Sequence, residues 1–291
     1  MPNSATALRL DTAKLFAASL FILACATPAA AQGSDELQLG YLVSFANGSL
    51  EPSVDRVGFG AMQQGHSQDS GNFPSWTPTG GDLVLEVTRP ADLVGGVASV
   101  GVFATEEVNF GPGTIFEARA TFFNPDGPRG STDIWAFVVG ARTGDNDDLF
   151  TDTRVGVSLQ VRGTSLRFNS PGGGPGTDLP PEVYNEIFSL TDPQPFTLEL
   201  LVDRINGAGK VSIKVGDRVF SRNVTFAAFP ANSGPAITAV GPSLGIVSAP
   251  GKTASVHVRE FRMLMPSTSD INDADTCPET WDGFNCREAP A

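Results

Sequence analysis

The residues with the most chemical potential fall into a few groups along the chain. TGDNDDLFTD, residues 143–152, puts Asp145, Asp147, Asp148, Asp152 and an asparagine amide close together. Calcium takes roughly six to eight oxygen ligands of this kind. The segment is therefore the candidate calcium site, with a solvated acidic turn as the alternative. Glu117, Asp133 and Glu199 lie in or beside segments of strand character. Rigidly held carboxylates of that sort are what acid/base or nucleophilic attack on a polymer requires. Trp76, Arg119, Trp135, Ser158, Gln160 and Arg162 offer a different chemistry. Aromatic faces stack on sugar rings, and amide, hydroxyl and guanidinium groups grip hydroxyls. The two histidines, His66 and His257, are not accompanied by a Gly-x-Ser-x-Gly elbow and read as ordinary loop and strand residues.

The elements that must position these groups are strands. In Ile115–Phe123, Phe116, Ala118, Ala120 and Phe122 alternate with Ile115, Glu117, Arg119 and Thr121. In Val155–Arg162, Val155, Val157, Leu159 and Val161 alternate with Gly156, Ser158, Gln160 and Arg162. Asp133–Gly140 puts Trp135, Phe137 and Val139 on one side. Further strands are expected at Glu36–Ala46, Leu83–Thr88, Val97–Val108, Ser165–Asn169, Phe196–Asp203, Lys210–Val215, Arg218–Phe220, Ala239–Val247 and Ser255–Leu264. Val57–Thr79 reads as irregular, and Val183–Ser189 as a turn or two of helix. About a dozen short strands separated by Gly, Pro, Asn and Asp imply an all-β sandwich or jelly roll. With 32 Gly and 22 Pro, long helices are not expected.

The formal charge of −13 disfavours nucleic acid and anionic membrane surfaces as partners. Arg9 and Lys14, the apolar run Leu15–Ala26 and Ala29-Ala30-Ala31 form a secretory signal, with cleavage expected after Ala31. The alternative is a lipoprotein site that leaves a lipidated Cys25. No other apolar run is long enough to cross a bilayer as a helix. Cys277 and Cys286 are expected to form a disulfide in an oxidising compartment. The expected organisation is a signal peptide over 1–31, one sandwich over 32–265, and a polar acidic tail over 266–291 closed by that disulfide.

GGDLVLEV, then GGVASVGVFATEEVNFGPGTIFEARATF, then DIWAFVVGAR follow an order that resembles the family-16 glycoside hydrolases. ASVHVREFRML resembles the closing strand of concanavalin A-like lectin and laminin-G-like domains. The resemblance implies a concanavalin A-like jelly-roll β-sandwich in a secreted protein that binds a carbohydrate polymer. It also implies a strand carrying Glu-x-Asp-x-x-Glu, but here that strand is RVGVSLQVRG and holds no carboxylate. Retaining hydrolysis needs two carboxyls flanking the scissile bond, so the family's activity does not carry over. Two readings stay open: a non-catalytic lectin-like module, or a glycoside hydrolase or lyase with displaced catalytic residues. SLQVRG resembles the Gln-Ile-His strand of family-7 alginate lyases. In that version Arg119 neutralises a uronate and Tyr184 carries the proton.

Overall fold

The computed structural model describes residues 37–56, 58–66, 75–76, 81–92, 97–104, 114–124, 134–142, 153–170, 175–226, 239–246 and 251–266. The chain divides into two compact units, Met1–Asp35 and Glu36–Ala291, and every described residue belongs to the second. The signal segment, Cys25, Asp133, the Asp145–Asp152 cluster and the Cys277–Cys286 tail lie outside the described residues.

Sixteen strands, one short α-helix and a 3-10 turn over Phe45–Asn47 are the regular elements of the described chain: β1 Leu37–Ser44, β2 Val54–Asp55, β3 Gln63–His66, β4 Ser75–Trp76, β5 Leu83–Thr88, β6 Ala98–Phe103, β7 Ile115–Phe123, β8 Ile134–Arg142, β9 Thr153–Arg162, β10 Ser165–Asn169, β11 Thr177–Asp178, α1 Pro181–Ile187, β12 Phe196–Asp203, β13 Ala208–Val215, β14 Arg218–Thr225, β15 Ala239–Ile246 and β16 Thr253–Pro266. They form two antiparallel sheets. The nine-stranded sheet runs β14-β13-β12-β7-β16-β1-β2, with β5 also on β16 and β4 on β5. Its spine is β16, which pairs with β7 on one side and with β5 and then β1 on the other. The seven-stranded sheet runs β11-β10-β9-β8-β15-β6-β3.

β7, β12 and β16 of the nine-stranded sheet are amphipathic by simple alternation, whereas β6, β15 and the described side chains of β8 in the other sheet are buried on both faces; the inward faces form a single core. From β7 come Phe116, Ala118, Ala120 and Phe122; from β12, Phe196, Leu198, Leu200 and Val202; from β9, Val155, Val157, Leu159 and Val161. At its centre Phe122 stacks on Phe196 at 5.4 Å, and Phe137 meets Phe196 edge-on at 5.3 Å. Each of the larger side chains, Val, Leu or Phe, contributes about 1.5–3 kcal/mol on burial, so the inward-facing residues carry the fold. Tyr184, the proton carrier of the lyase reading, is part of this core and packs on Phe188 at 4.9 Å. It is spent on packing because α1 buries Val183, Tyr184 and Ile187 together.

Asp55 organises one turn. Its Oδ1 accepts from the backbone N–H of Gly58 (2.7 Å) and Phe59 (2.9 Å), and its Oδ2 from Gly60 (2.7 Å). Gly58 and Gly60 have φ of 76° and 70°, which suits residues without a Cβ. The Tyr41 hydroxyl donates to the Gly60 carbonyl at 2.9 Å. Burial, reinforced by Asp55 and Glu51, pushes this phenol well above its usual pKa.

Expected and observed elements differ in places. Arg218–Phe220 extends to Thr225 as β14, because it is an edge strand whose polar alternation (Ser221, Asn223, Thr225) resembles a loop. The stretch read as irregular contains the short strands β3 and β4. The strand expected from Asp133 begins at Ile134.

Candidate functional site

Two outward faces result, and the candidate residues divide between them. Ser158, Gln160 and Arg162 face outward from β9, in the seven-stranded sheet. Glu117, Arg119 and Glu199 face outward from β7 and β12, in the other sheet. Arg119 therefore cannot share a contact surface with Gln160 and Arg162, and the lyase reading, which needs both, loses that geometry. The cause is topological: β7 and β8 are consecutive in sequence but belong to opposite sheets.

On the nine-stranded sheet, Glu199 lies opposite Arg119 in the β12–β7 register, and Arg262 lies opposite Arg119 in β16. The Arg119 Nε donates to Glu117 Oε1 and lies 3.6 Å from Glu199 Oε1. Glu117 is 12 % exposed, Arg119 28 % and Glu199 22 %. Burial lowers the Arg119 pKa, but the hydrogen bond and charge of Glu117, with help from Glu199, outweigh it and hold the guanidinium above its usual range. Both carboxylates are thus taken up in neutralising one cation. A second cluster on this face joins His257 Nδ1 (3.4 Å) and Arg259 Nε (3.6 Å) to Asp82 Oδ2. The Arg259 guanidinium lies 4.2 Å from the Phe123 ring centroid.

On the seven-stranded sheet the β9–β10 register sets Ser165 beside Arg162, Arg167 beside Gln160 and Asn169 beside Ser158. β11 adds Asp178 beside Arg167. The resulting patch has a free side and a buried side. Arg162 is exposed, and its Nη2 donates to Gln160 Oε1 at 2.9 Å. Ser158 is only 2 % exposed, as is Ser243 on β15, so the face closes over toward β8 and β15. Ser158 is therefore set behind the patch. At the open side Arg167 Nη2 donates to the Gly176 carbonyl at 3.4 Å, and Arg222 Nη1 donates to the Pro175 carbonyl. A Cβ on Gly176 would lie 1.6 Å from Asn169 Oδ1, so a larger residue here would push the Asn169 and Arg167 side chains aside.

Arg167, Asn169, Asp178 and Arg222 were not among the candidates drawn from sequence. The first two were within reach of it: a hairpin turning at Gly163-Thr164 puts them on the Arg162 face by period-two counting. Arg222 had no such signal, because it comes from β14 of the other sheet. The backbone of Trp76 pairs with Leu83 and that of Trp135 with Val161 and Ile246; their side chains lie outside the described residues. Among the described residues no group of three or more His, Cys, Asp or Glu could hold a metal. A cleft of about 540 Å³ between α1 and the β13–β14 turn is lined by Asn185, Glu186, Asp192, Gln194, Asp217 and Arg218. Arg218 is ion-paired there with Glu186, which holds its pKa up.

No protein family and no curated protein matches this sequence. Solved structures similar to it include lectin I-B4 from Griffonia simplicifolia in a metal-free form, at 12 % identity, 76 % coverage of this chain, 98 % of that chain and a TM-score of 0.41. The carbohydrate recognition domain of Emp47p is similar at 14 % identity, 81 % and 99 % coverage and a TM-score of 0.42. A protein of unknown function from Shewanella oneidensis is similar at 10 % identity, 79 % and 87 % coverage and a TM-score of 0.46. Lectins and related carbohydrate-binding domains are thus among the structures this chain is similar to. None of these likenesses assigns a ligand to this chain. Among the described residues no helix is long and apolar enough to cross a membrane.

Proposed function

We propose that this chain is an exported, non-catalytic β-sandwich that binds a carbohydrate polymer at the β9–β10–β11 edge of its seven-stranded sheet. The observation that carries this is the outward side of β9. The strand that takes the place of the catalytic strand of family-16 hydrolases has Gly156, Ser158, Gln160 and Arg162 on that side, of which Gln160 and Arg162 reach the surface, and no acid. Gln does not titrate, and Arg stays protonated, so neither serves as a general acid or base. Both are good hydrogen-bonding partners for hydroxyl groups. Export through the Met1–Ala31 signal, the Cys277–Cys286 disulfide and calcium at Asp145, Asp147, Asp148 and Asp152 complete the proposal.

The alternative, a hydrolase with displaced carboxylates, would use Glu117 and Glu199, the two acids gathered on Arg119. Both are committed to that cation, which favours a structural role for them. Affinity electrophoresis against a polysaccharide panel, run alongside assays for reducing and unsaturated ends, separates the two readings. The expected result is retention without product, with retention weakened by Gln160→Ala. Turnover abolished by Glu117→Gln would replace the binding module with an enzyme. Melting curves with calcium and with chelator test the metal. A ligand at 100 times its dissociation constant adds about 2.7 kcal/mol to the folded state, and Asp147→Ala with Asp148→Ala should remove that gain.

A further inference from the structure

We infer that the polymer this surface takes is acidic, one bearing carboxylate or sulfate groups along its chain. The inference rests on the binding reading above and names the ligand class for the same site.

The argument is one of local against global charge. The protein as a whole is acidic, at −13. Around β9, β10 and the segment Pro175–Asp178, however, two guanidinium groups lie on the outward face, Arg162 and Arg167, and a third, Arg222, reaches the Pro175 carbonyl from the inward-facing side of β14. Among the described residues one carboxylate answers them, that of Asp178, 3.9 Å from Arg167 Nε and 83 % exposed. An exposed pair at that distance neutralises little. Nearby on α1, Glu186 is already ion-paired with Arg218, and Glu182 also acts on Arg218.

Among the described residues, none of the three arginines has its hydrogen-bonding capacity filled. Arg162 is exposed, and its one partner among the described residues is the neutral Gln160 amide. Arg222 donates one bond to the Pro175 carbonyl and faces the Phe168 ring at 6.0 Å, while its Nε and Nη2 are shielded from water without an acceptor. Arg167 Nε is likewise shielded and without a hydrogen-bond partner. A guanidinium fork matches a carboxylate or sulfate better than a neutral hydroxyl. A neutral glycan would leave this charge unanswered. An acidic one would answer it. Contrast the outward face of the other sheet, where Arg119, Arg259 and Arg262 each lie within 4 Å of a carboxylate.

The test uses the full chain and matched polymers: polygalacturonate against its methyl ester, and a sulfated galactan against its desulfated form. Each pair shares one backbone and differs only in charge. The expected result is retention on at least one charged member, at least tenfold weaker on its neutral partner and falling as salt is raised. Arg162→Ala should lower affinity by roughly tenfold or more, the usual order for a charge-assisted hydrogen bond, with the thermal midpoint unchanged. Arg162→Lys, which keeps charge but loses the fork, should fall between. Equal retention on charged and neutral members would overturn the acidic ligand class while leaving carbohydrate binding in place. Retention on none of the four, with a wider polysaccharide panel also negative, would overturn both.

Discussion

Arg119 and Arg162 each point outward from a strand of their own sheet, and each has a polar residue two positions earlier on the same strand. For Arg119 that residue is Glu117; for Arg162 it is Gln160. Across the neighbouring strand Arg119 meets Glu199, whereas Arg162 meets Ser165. The consequence is a half-buried guanidinium with two carboxylates on one face and an exposed guanidinium with one amide on the other. The same side chain is tied to two carboxylates in the first setting and, among the described residues, to one neutral amide in the second. The identity of the neighbours two residues away and one strand across decides which.

The core between the two faces sets the largest expected effect and the baseline for the rest. Phe122 packs on Phe196 and Phe137, so Phe122→Ala should cost about 3–5 kcal/mol, the usual range for emptying a buried aromatic site. Chemical denaturation would show it, and a loss under 1 kcal/mol would mean that the two sheets are not held together there.

Breaking the clamp comes next. Arg119→Met leaves Glu117 and Glu199 facing each other with their shared cation gone, and should cost about 1–3 kcal/mol, less than a fully buried pair. Adding Glu117→Gln and Glu199→Gln should restore part of that loss. If the single variant is as stable as the parent, the charges on this face are no clamp.

A smaller effect is tied to pH. The Tyr41 phenol has its folded pKa raised by burial and by the nearby Asp55 and Glu51 carboxylates, so the fold favours its neutral form. That contribution is fully present below the ordinary phenol pKa of about 10. It is lost as pH climbs from there toward the raised folded value, because the unfolded chain ionises first. Tyr41→Phe should cost about 1 kcal/mol near neutrality through its bond to Gly60, while flattening the alkaline decline. An alkaline limb unchanged by the substitution would assign it to other groups.

Much of the strand layout can be read from alternation alone. Leu83–Thr88, Ile115–Phe123, Ser165–Asn169 and Phe196–Asp203 have the same bounds in sequence and structure. Each is a strand whose inner positions are apolar and whose ends meet turn-forming residues. Period-two counting also separates Glu117 and Arg119 from Phe116 and Ala118. It does not say which sheet a strand joins, since that depends on pairings between segments far apart in the chain. The grouping of Arg119 with Gln160 and Arg162 fails for that reason, and the approach of Arg222 to the Pro175 segment is hidden for the same one. β14 is under-read because an edge strand with one watered side needs few apolar residues to be stable.

The contrast between the two arginines comes down to one paired measurement: thermal midpoint and affinity for a retained acidic polymer, for Arg119→Met and Arg162→Ala side by side. The clamp variant should lose stability and, at a temperature where it stays folded, keep its affinity. The Arg162 variant should keep its midpoint and lose affinity by roughly tenfold or more. The reverse pattern, with binding lost at Arg119 and untouched at Arg162, would move the site to the nine-stranded sheet and contradict the assignment made here.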